Sequence, residues 1–172
     1  TGTSEFNEVF LDEARTEADL VVGEVDGGWR VAMGTLGFER GVLTLGQQMA
    51  FDRELGEILA AARRTGAIDN PVTRQRLTSL WMRVRIMRWN AVRALRVDEN
   101  VALPREAMIN KLYWANLHRD MGEAAMDVLG AEAMLTRYSE AEEGDAGDLE
   151  MSGLHKLFFF TRSDTIYGGS NE

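Results

Sequence analysis

From Trp29 to Arg64 the chain carries no proline, and Trp29, Ala32, Met33, Leu36, Leu43 and Ala50 recur along it at steps of three and four residues and their sums. Thr65-Gly66 then supplies a stop. Helix throughout this run would make a rod of roughly 54 Å, at about 1.5 Å per residue. Such a rod fits a small protein only if it lies along neighbouring helices, so the rest of the chain must supply them.

The neighbours are legible. Asp69-Asn70-Pro71 is a start signal, a capping residue before a first-turn proline. Leu77, Leu80, Val84, Met87, Ala91 and Ala94 form a second apolar stripe, reaching to about Val97. Pro104 opens a third helix whose stripe is Met108, Leu112, Ala115, Gly122, Ala125 and Leu129. Ser139 to Gly153 is acidic and poor in apolar residues and reads as a mobile loop. Leu154 to about Thr161 reads as a short apolar helix. The expected fold is all-α, an antiparallel up-and-down four-helix bundle. Ahead of it, Phe6-Asn7-Glu8-Val9-Phe10-Leu11 has the partial alternation and aromatic content of a strand. A lone strand needs partners for its edges, so this one is expected to be left over from a β-domain.

Composition excludes several functions. The 172 residues fit one domain, and a net charge of −9 disfavours non-specific binding to nucleic acid. No apolar stretch approaches the roughly 20 residues that span a bilayer. The absence of cysteine rules out disulfides and thiolate chemistry and fits a cytoplasmic protein. His118 and His155 lie far apart with no ligand spacing around them, so no metal is expected. His118 sits on the third helix's stripe and reads as a satisfied interior histidine; His155 precedes Leu157-Phe158-Phe159-Phe160 and reads as core. Arg74, Arg76, Arg83, Arg85, Arg88, Arg93 and Arg96 crowd one segment, which reads first as a solvated helix face paired with carboxylates, the alternative being a basic patch for an anionic cofactor or an acidic partner.

Three segments, in order, resemble the acyl-CoA dehydrogenase family. The first runs from Asn7-Glu8-Val9-Phe10-Leu11-Asp12-Glu13-Ala14-Arg15 through Val22-Gly23-Glu24 to Gly27-Gly28-Trp29-Arg30-Val31-Ala32-Met33. It is similar to the end of the family's middle β-domain running into the first helix of the C-terminal domain. The second is Leu36-Gly37-Phe38-Glu39-Arg40, inside that helix. The third is Asp164-Thr165-Ile166-Tyr167-Gly168-Gly169-Ser170-Asn171-Glu172, the family's flavin-side loop. The resemblance implies that residues 1–26 end the β-domain and its linker. Residues 27–172 would be the C-terminal bundle, truncated before its last helix.

It also implies a reaction: α,β-dehydrogenation of an acyl-CoA thioester, with FAD accepting the hydride and a carboxylate removing the α-proton. In many members that carboxylate follows the Tyr of the final loop, a position held here by Gly168. Members of the isovaleryl-CoA and long-chain type carry it on the first long helix before an Arg, which is Glu39 followed by Arg40. Helical periodicity agrees, because Glu39 falls three residues after Leu36 and four before Leu43, on the apolar stripe. Read from periodicity alone, an ordinary ion pair at Glu39 remains the alternative.

By the same resemblance Leu36, Gly37, Arg40, Tyr167 and Gly168 contact substrate, and Gly169, Ser170 and Glu172 contact flavin or its phosphate–ribose part. Arg64 and Gln75 would reach a neighbouring subunit's FAD. Gly130 stands where the family often has Gln-x-x-Gly-Gly, here Asp127-Val128-Leu129-Gly130-Ala131. The family's Arg-x-x-Phe-Gly appears as Ala62-Arg63-Arg64-Thr65-Gly66. The implied partners are an acyl-CoA, an electron-transfer flavoprotein as acceptor and copies of the same chain in a dimer or tetramer, and this fragment alone is expected to be inactive. The competing reading is a non-catalytic helical interaction module. A nitroalkane oxidase on the same fold would need a carboxylate after Tyr167, which Gly168 does not provide.

Overall fold

The computed structural model describes residues 7–94, 105–135, 137–138 and 149–168; within these, the side chains of residues 36–44, 94, 105–108, 137–138 and 149–150 lie outside the description. Helix α1 (Gly28–Thr65) has 38 residues, a rod of about 57 Å. It ends as expected, on Gly66 at φ 77°, a left-handed conformation that glycine adopts without a Cβ penalty. One 3-10 turn, Ala67–Asp69, leads to α2 (Pro71–Ala94). Asn70 Oδ1 caps α2 by accepting the N–H of Val72 at 2.9 Å and of Thr73 at 3.4 Å. Helix α3 (Arg105–Leu129) runs on through a 3-10 turn, Gly130–Met134. A two-residue antiparallel ladder follows, β1 (Arg137–Tyr138) with β2 (Leu149–Glu150). Ser152 then caps α4 (Gly153–Ser163) through the N–H of His155.

Cross-helix contacts fix the topology. Asp52 on α1 pairs with Arg85 on α2 at 2.8 Å, and Arg83 on α2 pairs with Asp120 on α3 at 2.7 Å; Arg76 also pairs with Asp127. These pairings run antiparallel, whereas Glu54 with His118 and Thr65 with Val128 lie level along α1 and α3. Helix α4 lies antiparallel on α3, with Arg162 reaching Glu123 at 2.7 Å. Arg76, Arg83 and Arg85 of the arginine-rich segment are thus paired with carboxylates across the bundle. Such partly exposed pairs contribute about 1 kcal/mol or less each and act mainly on register.

The core lies between the first three helices: Phe51, Leu55, Ile58 and Ala62 of α1 meet Leu77, Leu80, Val84 and Met87 of α2 and Leu117, Met121, Ala124 and Val128 of α3. The α2 stripe read from the sequence is buried from Leu77 to Ala91. On α3 the buried face is wider than expected and turned by about one residue, so Leu112 is half exposed while Trp114, Leu117 and His118 are buried. The reason is that α1, α2 and α4 all pack on this helix.

Three expectations are corrected. Residues 7–11 form no ladder, and Val9, Phe10 and Leu11 are each more than three-quarters exposed. A strand exists only through a hydrogen-bonded neighbour, and none of the described residues provides one. The front of the α1 stripe is also bare, with Trp29 80% and Met33 46% exposed. Helix α1 is longer than α2 by fourteen residues, 38 against 24, so its first turns overhang the bundle. Finally, the segment read as a loop carries β2, so chain pairing begins before α4.

Candidate functional site

Leu36, Gly37, Glu39 and Arg40 all lie on α1, between its overhanging start and the half that packs into the core; their backbone is helical and their side chains fall outside the description. Glu39 precedes Glu54 by about 22 Å of helix axis.

Tyr167 and Gly168 occupy the turn that follows α4, which folds back on itself through the N–H groups of Ile166 and Tyr167, both donating to Ser163 O. Gly168 has φ 67°, and a Cβ placed there would lie 3.4 Å from Lys111 Cε. Beneath the turn Asp164 is fully buried. Its Oδ1 accepts the Tyr167 hydroxyl at 2.8 Å, its Oδ2 lies 2.5 Å from His118 Nδ1, and its carbonyl accepts from Lys111 Nζ. On its other side His118 places Nε2 2.9 Å from Glu54 Oε2, while Phe51 stacks on the ring at 4.0 Å.

An imidazole between two carboxylates satisfies both contacts only with both nitrogens protonated. Burial opposes that charge, but the hydrogen bonds to Asp164 and Glu54, with the charges of both carboxylates, outweigh it and raise His118 above its ordinary range. Burial and Asp164 together push the Tyr167 hydroxyl well above its usual range, so it stays a donor. Burial lowers the Lys111 ammonium, against the pull of Asp164. Lys111 Nζ also lies 4.9 Å from the Trp114 ring centroid and 5.7 Å from that of Tyr167.

At the opposite end of the bundle the structure gathers Arg64, Gln75 and Gly130. Arg64 Nη1 donates to both carboxylate oxygens of Glu132, at 2.9 and 3.1 Å. Glu132 sits in the turn that Gly130 opens at φ 57°. Gln75 is exposed and lines a shallow groove with Pro71, Val72, Arg76 and Ser79. Arg64 follows Glu39 by about 37 Å of helix axis, so the two groups do not meet in one protomer. Gly169, Ser170 and Glu172 lie outside the described residues.

The sequence placed His118 in the interior with its hydrogen bonds satisfied, and that is where it lies. His155 is likewise buried, between Ser152 Oγ at 2.6 Å and Ala133 O at 3.0 Å. Glu54 and Asp164 were not singled out. Asp164 carried one available signal: an Asp three residues before a Tyr, at the end of a helix, is placed to accept that Tyr's hydroxyl.

Comparison with known proteins bears on all of this. Residues 26–172 match the family model for the acyl-CoA dehydrogenase C-terminal domain. The chain is 51% identical over 172 residues to acyl-CoA dehydrogenase IpdE1 of Mycobacterium tuberculosis, covering all of this chain and 42% of that protein. It is 49% identical, again over its whole length, to acyl-CoA dehydrogenase IpdE1 of Mycolicibacterium smegmatis, covering 40% of it. The solved structure of a variant of the Tcur3481-Tcur3483 steroid ACAD superposes with a TM-score of 0.67 at 25% identity, covering 87% of this chain and 38% of that one. The chain thus spans about two fifths of the length of these relatives. It belongs to the acyl-CoA dehydrogenase family and matches that family's C-terminal helical domain.

Proposed function

We propose that this chain carries the catalytic base and part of the flavin wall of an FAD-dependent acyl-CoA dehydrogenase, an oxidoreductase that desaturates the α,β-bond of an acyl-CoA thioester. Glu39 takes the α-proton. The observation that carries this reading is the backbone at Gly168, whose positive φ strains any L side chain, a glutamate included. The carboxylate that many members hold at that point of the loop then has to stand elsewhere, and Glu39 before Arg40 is the family's other placement. A carboxylate on an otherwise apolar helix stripe is costly to bury without a purpose or a partner, which favours a functional role for Glu39.

FAD, when bound, supplies the hydride acceptor. Arg64 fits a phosphate-bearing group: it already meets two anionic oxygens of Glu132, and 57% of its side chain is exposed. Its distance from Glu39 along α1 suits a contact to the cofactor of a neighbouring subunit. Gln75 and Gly130 lie at the same end, and Gly169, Ser170 and Glu172 complete the flavin contacts. Leu36, Gly37, Arg40 and Tyr167 would line the acyl-CoA path.

The likeness to a protein described as a steroid ACAD favours a bulky, polycyclic acyl group over a straight chain. Exposed apolar residues on the α1 overhang and along α2, among them Trp29, Met82, Ile86 and Trp89, favour assembly into a homo-oligomer. Among the described residues no helix is long and apolar enough to cross a membrane, and we place the enzyme in the cytoplasm with an electron-transfer flavoprotein as its oxidant. In the full-length enzyme Glu39→Gln should leave flavin bound but abolish its anaerobic bleaching by acyl-CoA. Retained bleaching would overturn the assignment.

A further inference from the structure

We propose that His118 is a positioning residue: bridged between Glu54 on α1 and Asp164 after α4, it holds the turn that presents Tyr167 and Gly168. This rests on the reading of that turn as the substrate-side loop.

The geometry supports the role in three ways. Asp164 is fully buried, yet its side chain spends both oxygens on two partners, His118 and the Tyr167 hydroxyl. The turn therefore has one buried anchor, and that anchor's strongest partner is a cation. Phe51 stacks on the imidazole and Glu54 takes its far nitrogen, so the ring has no freedom to rotate away. Helix α1, which carries Glu39, and the turn, which carries Tyr167, are thereby tied through one side chain.

The groups around the ring define its pH response. Glu54 comes from α1, and Asp164 and Tyr167 from the turn; Lys111 on α3 holds the Asp164 carbonyl. On helix α2, Arg83 and Arg85 are engaged elsewhere, by Asp120 and Asp52, and the charges acting on the ring are those of Glu54 and Asp164. The bridge is intact while the ring is charged. As pH rises through the ring's elevated pKa one N–H is lost, and a nitrogen lone pair then faces a carboxylate.

The test is hydrogen exchange of the Thr165–Gly168 amides in the full-length enzyme, corrected for the intrinsic rate at each pH, beside kcat and KM for acyl-CoA. In the wild-type enzyme protection of the turn should fall as pH rises through the His118 titration. Glu54→Gln should move that fall to lower pH, a shift that a merely packed histidine would not give. His118→Gln should leave the turn weakly protected at every pH and lower kcat/KM by about tenfold or more, mostly through KM. If that variant does not fold, the wild-type and Glu54→Gln profiles decide. Protection independent of pH, an unmoved midpoint in Glu54→Gln, or wild-type protection and KM in His118→Gln would each overturn the proposal. The Glu39→Gln enzyme separates the two ideas: it should keep the wild-type exchange profile, and retained bleaching in it would refute the base while leaving the bridge standing.

Discussion

Nδ1 of His118 lies 2.5 Å from Oδ2 of Asp164, joining the middle of α3 to the turn beyond α4 inside the protein. Both side chains are nearly or fully buried, at 6% and 0% exposure. A pair like this adds little net stability compared with apolar packing, but it is expensive to break from one side, because the surviving charge stays buried.

That asymmetry sets the first expectation. Asp164→Asn removes the carboxylate from His118 and weakens the acceptor for Tyr167. It should lower unfolding stability by on the order of 3 kcal/mol, read from urea denaturation. A loss below about 0.5 kcal/mol would show that the pair is not formed in solution.

The pH dependence has a definite sign. The folded-state pKa of His118 is raised above the ordinary histidine value of 6.5, so its contribution is fully present below about 6.5 and is lost as pH rises through the folded value. Asp120 works at the acid end. Burial alone would raise it, but Arg83 and Arg119 hold it below 3.8, so its contribution is present above that value and fades as pH falls through the depressed one. Denaturation midpoints measured from acid to alkaline pH should decline on the alkaline side in the wild type, and that decline should flatten in His118→Gln.

Gly122 lets α3 and α4 approach closely. A Cβ there would lie 2.5 Å from Thr161 Oγ1 and 3.1 Å from Phe158 Cα. The hydroxyl can move but the backbone atom can do so only with the helix. Gly122→Ala should therefore cost about 1–3 kcal/mol by thermal or chemical unfolding, and adding Thr161→Ala should recover only part of it.

Gly168→Ala tests the conformation on which the base assignment leans. At φ 67° an alanine should cost about 1 kcal/mol in strain, with Lys111 yielding slightly at 3.4 Å. Gly66→Ala, at φ 77° with nothing within 4 Å of its Cβ, gives the strain without the contact and should cost a similar amount. A neutral Gly168→Ala would mean that the turn adopts another conformation in solution.

The isolated chain of 172 residues should purify without stoichiometric flavin, since its proposed FAD contacts are split between the two ends of the bundle. Visible flavin absorbance at one equivalent per chain would show that the helical domain suffices for binding.

Much of the fold was readable because helix signals are local. Gly66, Asn70 and Pro71 act on their own turn of backbone, and the Leu77-to-Ala91 stripe needed only the helical period. The same local reading failed at residues 7–11, where a strand depends on a partner, and at Leu112, where the buried width of α3 depends on how many helices surround it. Of the candidate site, the order of the family-like segments was visible in one dimension, and the proposed pairing of Glu39 with Gly168 rests on that order. The linkage of Glu54, His118, Asp164 and Tyr167 was not.

By itself, then, the sequence determined the helices, the stop at Gly66 and the start at Pro71, and the family they resemble, because capping, periodicity and motif order are properties of neighbouring residues. Tertiary structure alone decided which carboxylates close on His118 and where the α1 stripe leaves the core. Residues 54, 118 and 164 acquire a common chemistry only when three separate elements pack, and the two carboxylates then outweigh the cost of burial and clamp an ordinary histidine as a cation.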